Sequence, residues 1–144
     1  MSWIDTDLAG ISTELDLIPE GTYLFSLLAG ARFNQWNPAK LDVGAKIAEG
    51  ELKGRVVYFS YGDPDKVPSM YGAFKRLEKA LSASTGVAIL ENQSPVDYLN
   101  QPEVVGGLFV ADIRHRVKPA KEEGAPSTTV ADLAIFKVKA APEV

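Results

Sequence analysis

The 144 residues contain no cysteine, which excludes a disulfide framework, a thiolate zinc site and a thiol nucleophile. A reducing compartment fits that composition. Histidine is almost as scarce: the single His115 excludes two-histidine metal motifs and leaves one candidate imidazole base. Long apolar runs are missing too, since the longest uncharged stretches, Thr22 to Ala31 and Ala80 to Leu90, fall short of the roughly 20 residues a membrane span needs. The first ten residues are acidic and lack the basic flank of a secretory signal. A soluble protein of the cytoplasm is expected, that of a host cell if the chain is phage-encoded.

The acidic excess lies at the N-terminus, where basic residues are absent. Residues 1–31 hold Asp5, Asp7, Glu14, Asp16 and Glu20 with no Lys or Arg, whereas the remainder holds all 15 basic residues against 14 acidic ones. The formal net charge of -4 is therefore local to the N-terminus. A polyanionic partner, which wants surplus Lys and Arg, is not excluded by the whole-chain figure.

Catalytic constellations are sparse. Asp63 and Asp65 flank Pro64 in a spacing that matches no complete metal loop, and His115 sits between Arg114 and Arg116 without a visible nucleophile. No glycine-rich phosphate loop precedes a helix. A non-enzyme with no metal and no cofactor is expected.

Periodicity supplies the fold. Trp3, Ile4, Leu8, Ile11, Leu15 and Ile18 recur at helical spacing, so residues 1–20 read as an acidic arm or helix that either packs on the body or serves regulation or dimerisation. From Gly21 the period becomes two. Alternation from Tyr23 to Phe33 predicts one long first strand that Gly30 can bend, and Leu41, Val43, Ala45 and Ile47 predict a second. Arg55 to Tyr61 predicts a third. After the turn at Gly62–Asp65, a stripe of Met70, Ala73, Phe74, Leu77, Ala80 and Leu81 predicts a helix with Ser69 as N-cap and Gly86 at its end. Ser94-Pro95 can cap a further short turn. Phe109 to Lys118 and Ala131 to Val138 predict the fourth and fifth strands, with a Pro/Gly/Lys/Glu loop between them. Three strands, a helix and two strands describe a mainly β chain, a five-stranded OB-fold Greek-key barrel with a helix between strands 3 and 4. The expected domain covers residues 21–139, followed by a short tail at 140–144.

Such a barrel binds along its second and third strands and the adjoining loops. Residues 32–61 there are rich in cations and aromatics: Arg32, Phe33, Trp36, Lys40, Lys46, Arg55, Tyr58 and Tyr61 are the candidates. Cations can follow phosphates while aromatic faces stack on bases, the mixture that single-strand binding needs. Trp36, flanked by Asn34, Gln35 and Asn37, either stacks on a ligand or folds over the barrel rim. Tyr58 either stacks or packs with its hydroxyl in water, and Tyr61 has a rim role or a structural one. Arg114, Arg116 and Lys118 share one strand face, so their charges add; they are either a solvated edge or a phosphate site.

Pro19-Glu20-Gly21-Thr22-Tyr23, the run Ile47 to Arg55 and Phe74-Lys75-Arg76-Leu77 resemble segments of the OB-fold single-stranded-DNA-binding proteins of tailed bacteriophages. The likeness spans roughly residues 19–138. It implies non-catalytic, sequence-tolerant binding of single-stranded DNA in phage replication, recombination or repair, with phage or host replication and recombination proteins as partners. Members often end in an acidic tail, whereas this chain ends Lys139 to Val144 without an acidic run. The other function class weighed is a β-rich interaction or phage assembly module that uses its aromatics against protein. Homo-oligomerisation stays open, and no membrane is expected as a partner.

Overall fold

The computed structural model describes residues 17–118, 124 and 128–142. Most of the acidic arm, Lys121 with the loop around it, and the last two residues lie outside that range, as does the side chain of Lys118. The elements in chain order are β1 (Gly21–Leu27), β2 (Arg32–Phe33), β3 (Leu41–Ile47), β4 (Val56–Tyr61), α1 (Ser69–Thr85), α2 (Pro95–Leu99), β5 (Leu108–Lys118), β6 (Thr128–Leu133), a 3₁₀ turn (Ile135–Lys137) and β7 (Lys139–Ala140).

All strand pairs are antiparallel. Neighbours run β4-β3-β1-β5-β6, with β2 added to β3 and β7 added to β5. The sheet curls into a half-barrel, so that its end strands β4 and β6 wall a common hollow. Period-two alternation explains the curl's two faces. Leu41, Val43, Ala45 and Ile47 of β3 and Val57, Phe59 and Tyr61 of β4 are buried, while Asp42, Lys46, Val56, Tyr58 and Ser60 point the other way. Inside, Phe25 stacks on Phe109 at 5.5 Å between centroids, Phe59 meets Phe109 edge-on at 6.3 Å, and Tyr61 bridges Phe59 to Phe74 of α1. Each fully buried ring of this kind contributes about 1.5–3 kcal/mol through lost apolar exposure.

The helix closes the inner face. Ala73, Leu77, Ala80 and Leu81 are buried against β5, the 3₁₀ turn and β7. Glu78, which no apolar stripe announces, is buried as well. Its Oε1 accepts the Ile89 N–H at 3.0 Å and so pins the segment that follows the helix.

Three expectations need correction. The first strand is not continuous to Phe33: it stops at Leu27, because the Asn100 side chain takes over the next backbone groups, accepting from Gly30 N at 2.9 Å and donating to Ala31 O at 2.8 Å. Gly30 sits at φ +100° in that break, where a Cβ would be strained. The fifth strand also stops early, at Leu133. Leu133 and Val138 are both buried, and the 3₁₀ turn between them carries Phe136 outward before β7 rejoins β5 at Phe109 and Val110. Finally, Pro68 rather than Ser69 occupies the cap of α1, with no side-chain cap bond; its ring already fixes a helical φ of -57°. Ser94 does cap α2, accepting from Val96 N at 3.2 Å.

Candidate nucleic-acid interface

The outward face of the β2-β3-β4 ribbon is set by register. Arg32 stands opposite Asp42, which stands opposite Ser60, making one row across three strands. The next row pairs Gly44 with Tyr58, and the one after it Lys46 with Val56. Tyr58 is 80% exposed, yet its ring is not loose. It lies on Gly44 so closely that an added Cβ there would stand 3.0 Å from Cε1 and 3.2 Å from Cδ1. A glycine at this position lets an aromatic ring lie against the sheet with one face open.

These rows floor a groove of about 640 Å³, walled by the Ala29-Gly30 bend, Arg32, Asn34, Lys40, Asp42 and Tyr58. A second hollow of about 330 Å³ shares Lys40, Tyr58, Phe59 and Ser60 with it and continues to Arg116, Asp132 and Ile135. Together they form one concave track from β2 to β6. Neither Arg32 nor Lys40 makes an ion pair among the described residues. Asp42 is the carboxylate between them; its Oδ1 accepts from Ser60 Oγ at 2.8 Å and its Oδ2 from Asn34 Nδ2 at 2.9 Å.

Asn34 builds the rim. Its Oδ1 accepts from Trp36 N at 2.9 Å and Asn37 N at 3.0 Å, and its backbone N donates to Lys40 O. That tight turn presents Trp36 at 82% exposure, so the indole does not fold over the barrel. Phe33, 47% exposed, lies on the far side of the ribbon from Arg32, at a small apolar pocket with Leu41, Met70, Tyr71 and Phe74.

The remaining candidates separate from this groove. Tyr61 is 3% exposed and walls the core against Phe59 and Phe74, so no base can stack on it. Burial pushes its hydroxyl pKa up, and that hydroxyl has no hydrogen-bond partner among the described residues. Lys46 is exposed one row beyond Tyr58, outside the walls of either hollow, and half-buried Arg55 sits at the β3–β4 turn. Arg114 and Arg116 do not add as bare charges: Arg114 Nη2 lies 3.4 Å from Asp112 Oδ2, and Arg116 Nε donates to Asp132 Oδ2. A hydrogen bond from Thr22 Oγ1 at 2.6 Å, then the charges of Arg114, Lys137 and Lys139, hold the Asp112 carboxyl below its ordinary range. Hydrogen bonding and attraction from Asp132 hold Arg116 charged.

His115 has a structural job. Its Nε2 lies 2.8 Å from Ile18 O, an atom that only accepts, so this nitrogen donates; its backbone N donates to Glu20 Oε2 at 3.0 Å. Both contacts tie the chain entering β1 to β5. Asp63 accepts from Asp65 N and shapes a turn. Among the described residues, no three His, Asp or Glu side chains are grouped to hold a metal ion, and no helix is long and apolar enough to cross a membrane.

Sequence reasoning had Arg32, Trp36, Lys40 and Tyr58 as candidates and passed over Asn34, Asp42, Gly44 and Ser60. The signal for Asp42 and Gly44 was present, because strict alternation puts both on the face of Lys46. No family model, curated protein or solved structure matches the chain.

Proposed function

We propose that this chain is a non-catalytic protein that binds single-stranded DNA with little sequence preference, through the outward face of β2, β3 and β4. The single observation that carries the reading is Tyr58, held on Gly44 with an open ring face in a groove flanked by Arg32 and Lys40, cations without an ion pair among the described residues. Stacking on such a ring contributes about 1–3 kcal/mol per base, and the cations follow the backbone. The strand order supports an OB-fold Greek-key barrel: β1, β3 and β4 form the first three strands, β5 and β6 the last two, and α1 lies between β4 and β5. The resemblance of Pro19–Tyr23 and Ile47–Arg55 to phage single-stranded-DNA-binding proteins supports work in phage replication, recombination or repair.

Titrating a mixed-sequence oligonucleotide while following tryptophan emission tests this. Quenching and an affinity that falls with salt are expected, because bound phosphates release counterions. Unchanged emission and mobility at low salt with micromolar protein refute it. A second reading, a protein-interaction module, is favoured by the apolar pocket of about 110 Å³ beside exposed Phe33 and Tyr71. Loss of a co-purifying partner on Tyr71→Glu, with oligonucleotide affinity absent throughout, would select it.

A further inference from the structure

Within the groove, Asp42 is out of place for a surface that only follows phosphates. A carboxylate repels them, and its neighbours hold it in position rather than turn it away. Ser60 donates to one oxygen and Asn34 to the other, from opposite sides, which fixes the rotamer. Among the described residues, two of about four acceptor positions on the carboxylate remain unused. Asp42 also lies one outward row, about 7 Å along β3, from Gly44, on which the Tyr58 ring rests, so a base stacked on that ring can turn an edge towards it. Arg32 on the other side of the row supplies a cation, so the row is not left negative.

We infer that Asp42 accepts a hydrogen bond from the exocyclic amino group of a base stacked on Tyr58, giving an otherwise sequence-tolerant groove one position that favours amino-bearing bases over thymine. The inference rests on the proposed binding face. Its chemistry is acceptor against donor: cytosine N4 and adenine N6 donate, whereas thymine O4 is a second acceptor facing a carboxylate. Ionised Asp42 has no proton with which to answer it. Because Asn34 and Ser60 hold the oxygens before any ligand arrives, little side-chain ordering is left to oppose the contact.

The experiment compares oligo-5-methyldeoxycytidine with oligo-dT of equal length at neutral pH, by fluorescence anisotropy on the full chain. The two bases carry the same methyl and ring area and differ at the 4-amino and 4-oxo groups and at N3. About five- to tenfold tighter binding of the methylcytosine oligomer is expected, the lower part of the range for one base-edge contact. In Asp42→Asn, whose amide also donates, the ratio should collapse towards one while both oligomers still bind. Equal affinities for the unaltered chain overturn the inference and leave the binding face standing. A preference that survives in a folded Asp42→Asn overturns the role of Asp42. Binding of neither oligomer at low salt overturns the binding face and this reading with it.

Discussion

Arg32 and Lys40 flank the groove without an ion pair among the described residues, whereas Arg114 and Arg116, in the densest basic run of the chain, each face an aspartate. By count of cations the β5 run is the stronger polyanion site. By available charge the groove is, because a phosphate at Arg116 must compete with Asp132, while one at Arg32 or Lys40 displaces only water and counterions. The difference follows from register. Arg114 stands opposite Asp132 and Arg116 opposite Val130 on β6, and the Arg116 guanidinium reaches the Asp132 carboxylate diagonally across the strand pair. Arg32 also faces an aspartate across its pair, but no ion pair joins the two among the described residues, and each oxygen of that carboxylate instead accepts one hydrogen bond, from Ser60 or from Asn34.

The largest effect that tests the contrast belongs to the platform between the two clusters. Tyr58→Ala should weaken oligonucleotide binding by about 2 kcal/mol, within the range for one stacked base. The melting temperature should change little, as the ring is exposed. Unchanged affinity would move the binding face elsewhere. Next comes charge removal. A cation that contacts one phosphate of a single strand contributes about 0.7 to the log–log salt slope, or about fivefold at about 0.1 M salt. Losing Arg32 and Lys40 together should then cost about 25-fold and flatten the slope by about 1.4. The double Arg114→Ala, Arg116→Ala should do much less; equal losses would erase the distinction. Smaller again is the converse change, Asp132→Asn, which releases Arg116 into the groove. About fivefold tighter binding and a steeper slope are expected, read by the same salt titration.

Alternation carried most of the fold because burial obeys it. Leu41 to Ile47 and Val56 to Tyr61 place their apolar residues inward at every second position. It misled where a distant side chain interfered, as Asn100 does at Gly30 and Ala31, 70 residues away for the first of these bonds. The same limit shaped the candidate site. Arg32, Lys40 and Tyr58 could be marked by residue type, yet the neutralisation of Arg116 depends on β5 pairing with β6. Tyr61 differs from Tyr58 by burial alone, and the period-two pattern separates them only once Phe59 is known to point inward.

The smallest predicted effect isolates the Asp112–Arg114 pair. Asp112 is folded with its pKa below the ordinary 3.8, so the folded state binds its proton more weakly than the unfolded chain does. That stability is therefore present above about pH 4 and is lost as pH falls through the lowered value, when protonation of Asp112 removes both the acceptor for Thr22 and the partner of Arg114. Thermal melts of the unaltered chain should show a step below about pH 4 that is absent in Asp112→Asn, and salt should shrink it, since the pair is solvent-facing. An identical acid profile in both proteins would mean that Asp112 does not hold Arg114. In that case the β5 cations would be more available than their geometry implies, and the charge contrast with the groove would narrow to Arg116 alone.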